Sequence, residues 1–311
     1  MNRIPVMIDC DPGHDDAIAL IMALASDKLD VRCITTVAGN NTLENTTKNC
    51  LKVLTVLGKE HDVPVAMGLD HPMFKPLRIS KSVHGESGMD GPVVPDPVVK
   101  PVDMNAVQLM EKVVRESEER VTIVPIGPLT NVGTFLLANP DLKPKIERIC
   151  LMGGSSLIGN SGSATAEFNI FQDAEAANVV FSSGIPIVMH DIESTRKTFV
   201  EEKDIEELRG MNHVGKFVAE LMDFFTLYSK QHNLTFSIHD ACAVSWLIDP
   251  SIFISTFANV TVDIVGEKTY GCTVTDFRAN STLPKNTEVV LNVHRERFVQ
   301  LLKDCVKQYS K

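Results

Sequence analysis

The stretch Asp9-Cys10-Asp11-Pro12-Gly13-His14-Asp15-Asp16 carries more information than any other part of this chain. An apolar run over 4–8 precedes it, and a second apolar run over 17–24 follows it. Runs of this kind predict a buried strand and then a buried helix. The acidic residues therefore fall where the carboxyl end of a strand meets the start of a helix. This is the place where open α/β sheets bind their ligands.

Four carboxylates within eight residues repel one another unless a cation or raised pKa values neutralise them. Carboxylate oxygens suit a hard divalent cation such as Ca²⁺ or Mg²⁺. Helix capping is the alternative, because an aspartate near a helix N-terminus is stabilising. Capping accounts for Asp15 or Asp16 but leaves Asp9 and Asp11 unexplained, so we expect the cluster to be functional.

The composition argues against several classes of protein. A net charge of −10 over 311 residues offers no basic surface to nucleic acid or to an anionic membrane. No apolar run approaches the ~20 residues of a membrane span, and we expect no secretory signal. The seven cysteines are widely spaced, which is typical of reduced, buried thiols. We therefore expect a cytoplasmic protein with neither a nucleic-acid nor a membrane partner.

Strand and helix patterns alternate through the first 190 residues, which predicts an α/β fold. The predicted strands here are 4–9, 29–37, 63–66, 121–126, 148–153 and 185–190, and the predicted helices are 16–26, 42–57, 104–116, 130–138 and 173–182. Proline and glycine predict a long loop over 70–101. Helices at 201–209, 213–230, 240–248 and 296–308 and strands at 258–265, 271–277 and 287–293 are predicted later in the chain. We expect a single domain over 1–311, with a mainly parallel sheet covered on both faces.

Other polar side chains are placed for chemistry, although each has a structural alternative. Glu167 and Asn169 are two residues apart, so both would point the same way from an extended segment and could bind sugar hydroxyls; an ordinary polar loop is the alternative. His239 and Asp240 begin an apolar helix, where a simple cap is the alternative to a general acid and a metal ligand. His84 lies in the long loop, where a surface histidine is the alternative.

Taken together, these motifs resemble those of a known family. The segments in order are Asp9-x-Asp11-Pro12-Gly13-x-Asp15-Asp16, Ala38-Gly39-Asn40, His84-Gly85-Glu86-Ser87-Gly88, Leu129-Thr130-Asn131, Met152-Gly153-Gly154, Ala166-Glu167-Phe168-Asn169 and His239-Asp240. The chain is similar over nearly its whole length to the nucleoside hydrolases of the inosine/uridine-preferring superfamily. The resemblance implies a single α/β domain with a central mixed, mostly parallel sheet flanked by helices and an active site at the carboxyl ends of the strands. It also implies hydrolysis of the N-glycosidic bond of a ribonucleoside to ribose and free base.

The resemblance implies a Ca²⁺ held by the carboxylates of Asp11, Asp16 and Asp240 and by the main-chain carbonyl of Ile126. A threonine often occupies the position of Ile126 in the family, but the implied ligand is a backbone atom, so isoleucine should not abolish binding. Asp11 would also take a proton from the Ca²⁺-bound water that attacks the anomeric carbon.

A set of ribose contacts is implied as well. Asp15 would hold the 2′-hydroxyl, and Asn169 the 2′/3′ side of the sugar. Asn160 and Glu167 would hold the 5′-hydroxyl, and Asn40 would support the metal and sugar region.

Leaving-group activation falls to His239 or His84, since histidine titrates near neutral pH. The helix over 213–230 and the loop up to residue 236 should cover the base. The candidate contacts there are Phe224, Phe225, Tyr228 and His232. The run Gly88-Met89-Asp90-Gly91-Pro92 resembles the pyrimidine-preferring branch, so we expect uridine and cytidine to be preferred over inosine. The family also implies a homo-oligomer, a tetramer or a dimer.

Three alternatives stay open. A purine-preferring or nonspecific hydrolase is the alternative within the family. Asp9-x-Asp11 after a strand also resembles the nucleophile motif of haloacid-dehalogenase-type phosphotransferases, although Gly13 stands where threonine or valine is usual and the pair Asp15-Asp16 is not expected there. A non-catalytic protein that binds nucleosides or sugars would present the same polar residues without turnover.

Overall fold

The structure is a computed structural model that describes residues 3–160, 163–231 and 236–310. Strand β1 (Ile4–Cys10) is buried from its second residue onward and lies between two parallel neighbours. Helix α1 (His14–Ala25) follows after a three-residue turn and buries every residue from His14 to Ala23. This helix is apolar on all sides because other helices cover the surface that the sheet leaves free. The acidic turn is thereby enclosed in protein.

The remaining elements alternate as the sequence predicts through the first half of the chain. The strands are β2 (Leu29–Thr36), β3 (Val65–Met67), β4 (Val121–Pro125), β5 (Ile146–Met152), β6 (Ile187–His190), β7 (Phe253–Val262), β8 (Thr273–Asp276) and β9 (Thr287–Val293). The helices are α2 (Leu43–Leu57), α3 (Lys81–His84), α4 (Ala106–Glu116), α5 (Thr130–Ala138), α6 (Phe168–Gln172), α7 (Ala174–Phe181), α8 (Ile192–Thr195), α9 (Glu202–Arg209), α10 (His213–Gln231), α11 (Ala241–Ile248) and α12 (Arg295–Lys307), and short 3₁₀ helices cover Pro140–Lys145, Pro250–Ile252 and Gln308–Ser310.

These strands form one nine-stranded sheet in the order β3-β2-β1-β4-β5-β6-β9-β7-β8. The strands from β3 to β9 in this order are parallel, and β7 is antiparallel to both of its neighbours. The chain runs outward from β1 through β2 to β3 and then returns to place β4 on the other side of β1. This reversal makes the β1–β4 pair a topological switch point, where a crevice opens beyond the carboxyl ends of the strands.

Two hydrophobic clusters cover the two faces of the sheet. On β1, Val6 and Ile8 belong to one cluster and Met7 to the other, as the alternation of side chains along a strand requires. The predicted α/β fold with a mixed, mostly parallel sheet flanked by helices is confirmed. The seven cysteines all lie in the described residues and none forms a disulfide; six are buried.

Some predicted boundaries are wrong. Strand β7 begins at Phe253 rather than at 258, and the short helices α3, α6 and α8 do not appear in the prediction. Among the described helices, none has both the length and the apolar character needed to cross a bilayer.

Candidate active site

The turn between β1 and α1 is organised by the carboxylate of Asp16. Its Oδ1 accepts the N–H of Asp11 at 3.1 Å, and its Oδ2 accepts the N–H of Gly13 at 2.9 Å. Asp16 thus satisfies backbone donors that the start of a helix leaves free. The capping alternative therefore holds for this residue, but it accounts for only one of the acidic residues in the turn.

Asp240, at the start of α11, meets the first turn of α1. One carboxylate oxygen from each of Asp15, Asp16 and Asp240 lies within 4.8 Å of the others. Burial, followed by the charge of the neighbouring Asp16, raises the pKa of Asp15 to about 7. Burial, followed by the charges of Asp15 and Asp16, raises the pKa of Asp240 well above its usual range. No lysine or arginine of the described residues is among the main influences on the pKa values of Asp15, Asp16 and Asp240.

The carboxylate of Asp11 lies beside this group, and only one of its two oxygens accepts a hydrogen bond from the described residues. Its Oδ2 accepts the N–H of Asn40 at 2.6 Å, whereas its buried Oδ1 has no hydrogen-bond partner among the described residues. A Cβ at Gly39 would lie 2.2 Å from Oδ2, and a Cβ at Gly127 would lie 2.6 Å from Oδ1. Both glycines therefore keep open the space that the carboxylate occupies. A buried oxygen without a donor is costly unless a ligand satisfies it.

Asn40 supports the cluster from the end of the loop after β2. Besides its backbone contact with Asp11, its Nδ2 lies 3.3 Å from the carbonyl oxygen of Asp11 and 3.4 Å from Oδ2 of Asp16. These contacts agree with a supporting position beside the carboxylates.

The carbonyl of Ile126 lies at the end of β4, directly across the switch point from β1. It accepts a hydrogen bond from Nδ2 of Asn169 at 3.0 Å, and the same Nδ2 donates to the carbonyl of Met152 at 3.2 Å. Both N–H bonds of the amide are therefore used by the protein. The side-chain oxygen of Asn169 is the atom left to contact a ligand, so this residue can accept a hydrogen bond from a sugar hydroxyl but cannot donate one.

Glu167 does not lie on an extended segment with Asn169, contrary to the sequence-based expectation. It is the N-cap of α6, and its carboxylate accepts the N–H of Asn169 at 3.0 Å and of Gly154 at 3.1 Å. The helix begins here because this carboxylate satisfies its first donors. Burial raises the pKa of Glu167 to about 7 despite these hydrogen bonds.

Asn160 lies in the loop between β5 and α6. Its N–H donates to the carbonyl of Ala166 at 3.0 Å, which places its backbone next to Glu167. The Oδ1 atom of Asn160 is buried and has no partner among the described residues. The structure therefore brings Asn160 and Glu167 together, as the assignment of both to one hydroxyl requires.

His84 is buried against the acidic turn rather than exposed on the long loop. Its Nδ1 lies 3.1 Å from Nδ1 of His14, and Nε2 of His14 lies 2.8 Å from the carbonyl oxygen of Asp90. Because that carbonyl only accepts, Nε2 of His14 carries a proton. When both rings are neutral, His84 supplies the proton between the two Nδ1 atoms, and its own Nε2 is then an acceptor. Burial lowers the pKa of both rings, that of His14 to about 4.

Aromatic rings hold this histidine pair in place. Phe224 of α10 stacks on His14 with ring centroids 5.0 Å apart, and Phe225 packs at an angle against both histidines. Helix α10 thus covers this side of the site, in agreement with its expected position. The side chain of Tyr228 and the whole of His232 lie outside the described residues.

His239 approaches the acidic cluster from the segment before α11. Its backbone N–H faces the carboxylate of Asp15 and lowers the pKa of that group, and its Nδ1 lies 2.8 Å from Oγ1 of Thr195 on α8. Burial lowers the pKa of His239 to about 4. The pKa of His84 is in turn lowered first by burial and then by the charges of His14 and His239, so the histidines face a common region.

Sequence reasoning missed two residues of this site, His14 and Thr195. His14 stands inside the acidic motif, and a polar residue at the start of a buried helix is itself a signal that a partner exists. Thr195 gives no such signal, because only the fold brings it to a histidine 44 residues away.

The donor set can be compared with the needs of a metal ion. The four carboxylates and the nearby carbonyl offer only oxygen atoms, one of them without a partner. Their raised pKa values show that gathering four negative charges here is costly without a compensating cation. A set made of oxygen donors is the preference of a hard divalent cation such as Ca²⁺, whereas structural zinc sites are built mainly from cysteine and histidine.

Several known proteins are similar to this chain in sequence and in fold. A family model described as inosine-uridine preferring nucleoside hydrolase matches residues 6–300. The chain is 46% identical over 311 residues to the pyrimidine-specific ribonucleoside hydrolase RihA of Escherichia coli O1:K1, covering 99% of each chain. It is 45% identical over 313 residues to the protein of the same name from Photobacterium profundum, covering 99% of this chain and all of that one.

Among solved structures, the purine-preferring ribonucleoside hydrolase from Gardnerella vaginalis is similar with a TM-score of 0.91. It is 31% identical in sequence, and 98% of each chain is covered. The match of the family model along almost the whole chain, the full-length relatives and the shared fold confirm the prediction from the motifs: the chain belongs to the inosine-uridine preferring nucleoside hydrolase family.

Proposed function

We propose that the protein hydrolyses the N-glycosidic bond of pyrimidine ribonucleosides, with uridine and cytidine preferred over inosine, and releases ribose and the free base. The observation that carries the reaction is the group of buried carboxylates at the switch point, with the unpartnered Oδ1 of Asp11 among them. The preference for pyrimidines is supported by the names of the relatives that are 45–46% identical over the full length.

A Ca²⁺ ion fits this donor set. The carboxylates of Asp11, Asp16 and Asp240 and the carbonyl of Ile126 would hold it, with the Asp15 carboxylate within reach. Bound there, the ion would lower the pKa of a water molecule and position it as the nucleophile.

The carboxylates then act on the attacking water and on the positive charge that develops on the ribose. Oδ1 of Asp11 takes one proton from the attacking water as its oxygen bonds to the anomeric carbon. The bond from that carbon to the base nitrogen breaks, and its electron pair stays with the base. The transition state resembles a ribosyl oxocarbenium ion, whose positive charge the nearby carboxylates stabilise.

Ribose is held through its hydroxyls. Asp15 accepts from the 2′-hydroxyl, and the oxygen of Asn169 accepts from the 2′/3′ side. Asn160 and Glu167, which are neighbours in space, hold the 5′-hydroxyl. Binding energy from these contacts can be used to distort the sugar toward the transition state.

The departing base takes a proton or a hydrogen bond from the histidine side of the site. A neutral His84 presents an acceptor at Nε2, because its Nδ1–H is used on His14. When the hydroxyl of Thr195 donates to Nδ1 of His239, the neutral ring carries its proton at Nε2, which can then donate to the base. We therefore assign leaving-group activation to His239 and recognition of the base to His84.

The purine-using alternative rests on the similar structure from Gardnerella vaginalis, which is named purine-preferring. Its identity of 31% is lower than that of the pyrimidine-specific relatives. The fold is therefore common to both preferences, and the substrate has to be decided by measurement.

The test is release of base and reducing sugar from uridine, cytidine, inosine and adenosine, with and without a Ca²⁺ chelator. We expect kcat/KM for uridine or cytidine to exceed that for inosine, and exhaustive removal of metal to abolish turnover. A higher kcat/KM for inosine would assign the protein to the purine-using branch. No ribose from any nucleoside, with metal supplied and the protein folded, would leave only a binding protein.

A further inference from the structure

Glu193 lies outside the residues assigned above and makes a dense set of contacts with the loop between β5 and α6. From helix α8, its Oε1 accepts the N–H groups of Ile158 at 2.7 Å and Leu157 at 3.0 Å, and its Oε2 accepts the N–H of Ser156 at 2.9 Å. Three consecutive backbone donors therefore converge on one carboxylate. Hydrogen bonds to an ionised acceptor are stronger than neutral ones.

Hydrophobic burial does not hold this loop in place. Leu157 is 82% exposed and Ile158 is 51% exposed, so the two large apolar side chains of the segment face solvent. Oγ of Ser156 adds a hydrogen bond of 2.7 Å to the carboxylate of Asp191, which precedes α8. The loop is thus fixed to α8 mainly by polar contacts.

The same loop leads directly to Asn160. The N–H of Gly159 donates to the carbonyl of Ala164, and the N–H of Asn160 donates to that of Ala166. A Cβ at Gly159 would lie 2.4 Å from the carbonyl oxygen of Ser163, so the chain passes too closely here for a side chain. Asn160 is therefore held on one side by the irregular segment leading to Glu167 and on the other side by the contacts of Glu193.

We propose that Glu193 is a positioning residue that sets the place of the Asn160 side chain, and through it the contact with the substrate's 5′-hydroxyl. This inference rests on the proposed function. Two observations carry it: the three N–H groups gathered by Glu193, and the buried Oδ1 of Asn160, which has no partner in the described chain.

Glu193→Gln is the informative variant, because it keeps the length of the side chain. Only one of its two terminal atoms can still accept, so at least one loop N–H faces an NH₂ group. The substrates are uridine and 5′-deoxyuridine, which lacks the hydroxyl in question. We expect kcat/KM for uridine to fall about fivefold, which is the factor that a lost hydrogen bond of about 1 kcal/mol corresponds to. For 5′-deoxyuridine we expect a change of less than about twofold.

A double-mutant comparison separates positioning from general damage. If Glu193 acts through Asn160, the variant carrying both Glu193→Gln and Asn160→Ala is no worse on uridine than Asn160→Ala alone. Asp276→Asn is the matched control, because Asp276 also accepts a loop N–H, that of Arg278, but lies on the edge strand β8. It should leave the ratio of the two substrates unchanged. Turnover of 5′-deoxyuridine by Glu193→Gln shows that the variant is folded.

The proposal is overturned if Glu193→Gln slows both substrates equally, if it slows neither, or if the losses of the two single variants multiply on uridine. A wild-type protein that does not hydrolyse uridine would refute the proposed function, and the inference with it. A wild type that hydrolyses uridine, combined with any of the three results above, would refute the inference alone.

Discussion

Replacing Asp240 by asparagine should make the metal-free protein more stable, although it damages the site. The carboxylate oxygens of Asp15, Asp16 and Asp240 lie within 4.8 Å of one another. At an effective dielectric constant of about 20, two unit charges at this distance repel by about 3.5 kcal/mol. Raised pKa values relieve part of this repulsion by proton uptake, so we expect a gain of about 1–3 kcal/mol in the free energy of unfolding. The Asp240 side chain makes no N-cap hydrogen bond to α11, so no cap is lost.

Thermal unfolding with a chelator and with Ca²⁺ measures this effect. For a chain of this size, about 2 °C in Tm corresponds to 1 kcal/mol, so the metal-free variant should melt roughly 2–6 °C above the wild type. Ca²⁺ at a hundred times its Kd stabilises the wild type by about 2.7 kcal/mol. Because Asp240→Asn lacks one of the proposed ligands, Ca²⁺ should raise its Tm less than it raises that of the wild type. The Tm advantage of the variant should therefore shrink or reverse when Ca²⁺ is added.

Asp173→Asn is the control for this experiment. The Asp173 carboxylate is also buried, but it accepts hydrogen bonds from Met73, Thr130 and Ala176. Because the Asp173→Asn substitution removes hydrogen bonds and no proposed metal ligand, it should lower Tm by the same amount with and without Ca²⁺. The electrostatic reasoning is refuted if Asp240→Asn lowers the Tm of the metal-free protein, or if Ca²⁺ leaves the Tm of the wild type unchanged.

Three further predictions concern two residues of the site and one ion-paired carboxylate elsewhere in the fold. Asp11→Asn should lower kcat for uridine by ~10²-fold or more, as loss of a positioned base does; wild-type kcat would contradict the assigned role. Gly39→Ala should lower activity similarly, because its Cβ would lie 2.2 Å from Oδ2 of Asp11; normal activity would show that the turn can yield. Asp204→Asn should lower the free energy of unfolding by about 1.5–3 kcal/mol at pH 7, because its carboxylate loses charge-assisted hydrogen bonds to Lys303 and Arg295. Burial alone would raise the pKa of the Asp204 carboxyl, but Lys303 and its other partners outweigh burial and hold the pKa below its ordinary value. The contribution of Asp204 to the free energy of unfolding is therefore present above about pH 4 and is lost as the pH falls. Urea unfolding at pH 7 and pH 3 checks this, and an equal loss at both pH values would argue against it.

The acidic turn could be predicted from the sequence because its signals are local. Apolar runs on both sides of Asp9–Asp16 define a strand and a helix, and parallel strands place their carboxyl ends together. The start of β7 could not be predicted in this way. Ile254 and Phe257 are 46% and 58% exposed, so the first half of that strand lacks the usual alternation of buried apolar residues.

The short helices could not be predicted from the sequence either. Helix α8 has four residues and α6 has five, too few to show a helical period, and each depends on one capping carboxylate, Asp191 or Glu167. The contacts that shape the site are long-range as well. His14 and His84 are 70 residues apart, and Glu193 lies 35–37 residues from the loop it holds. No pattern within a short window can report such pairs.

The place of β9 in the sheet has a consequence for the order in which the molecule can be assembled. This strand, made after β7 and β8, lies between β6 and β7 and joins the parallel part of the sheet to the antiparallel pair. Helix α12, which follows it, packs against α1 from the beginning of the chain. While the polypeptide is being synthesised, β7 and β8 can pair with each other, but they cannot join the parallel part of the sheet until residues 287–293 have emerged. Strands β1 to β6 can pair earlier, but the edge of β6 that later pairs with β9 stays unpaired during this interval. An unpaired strand edge can pair with another chain and so promote aggregation.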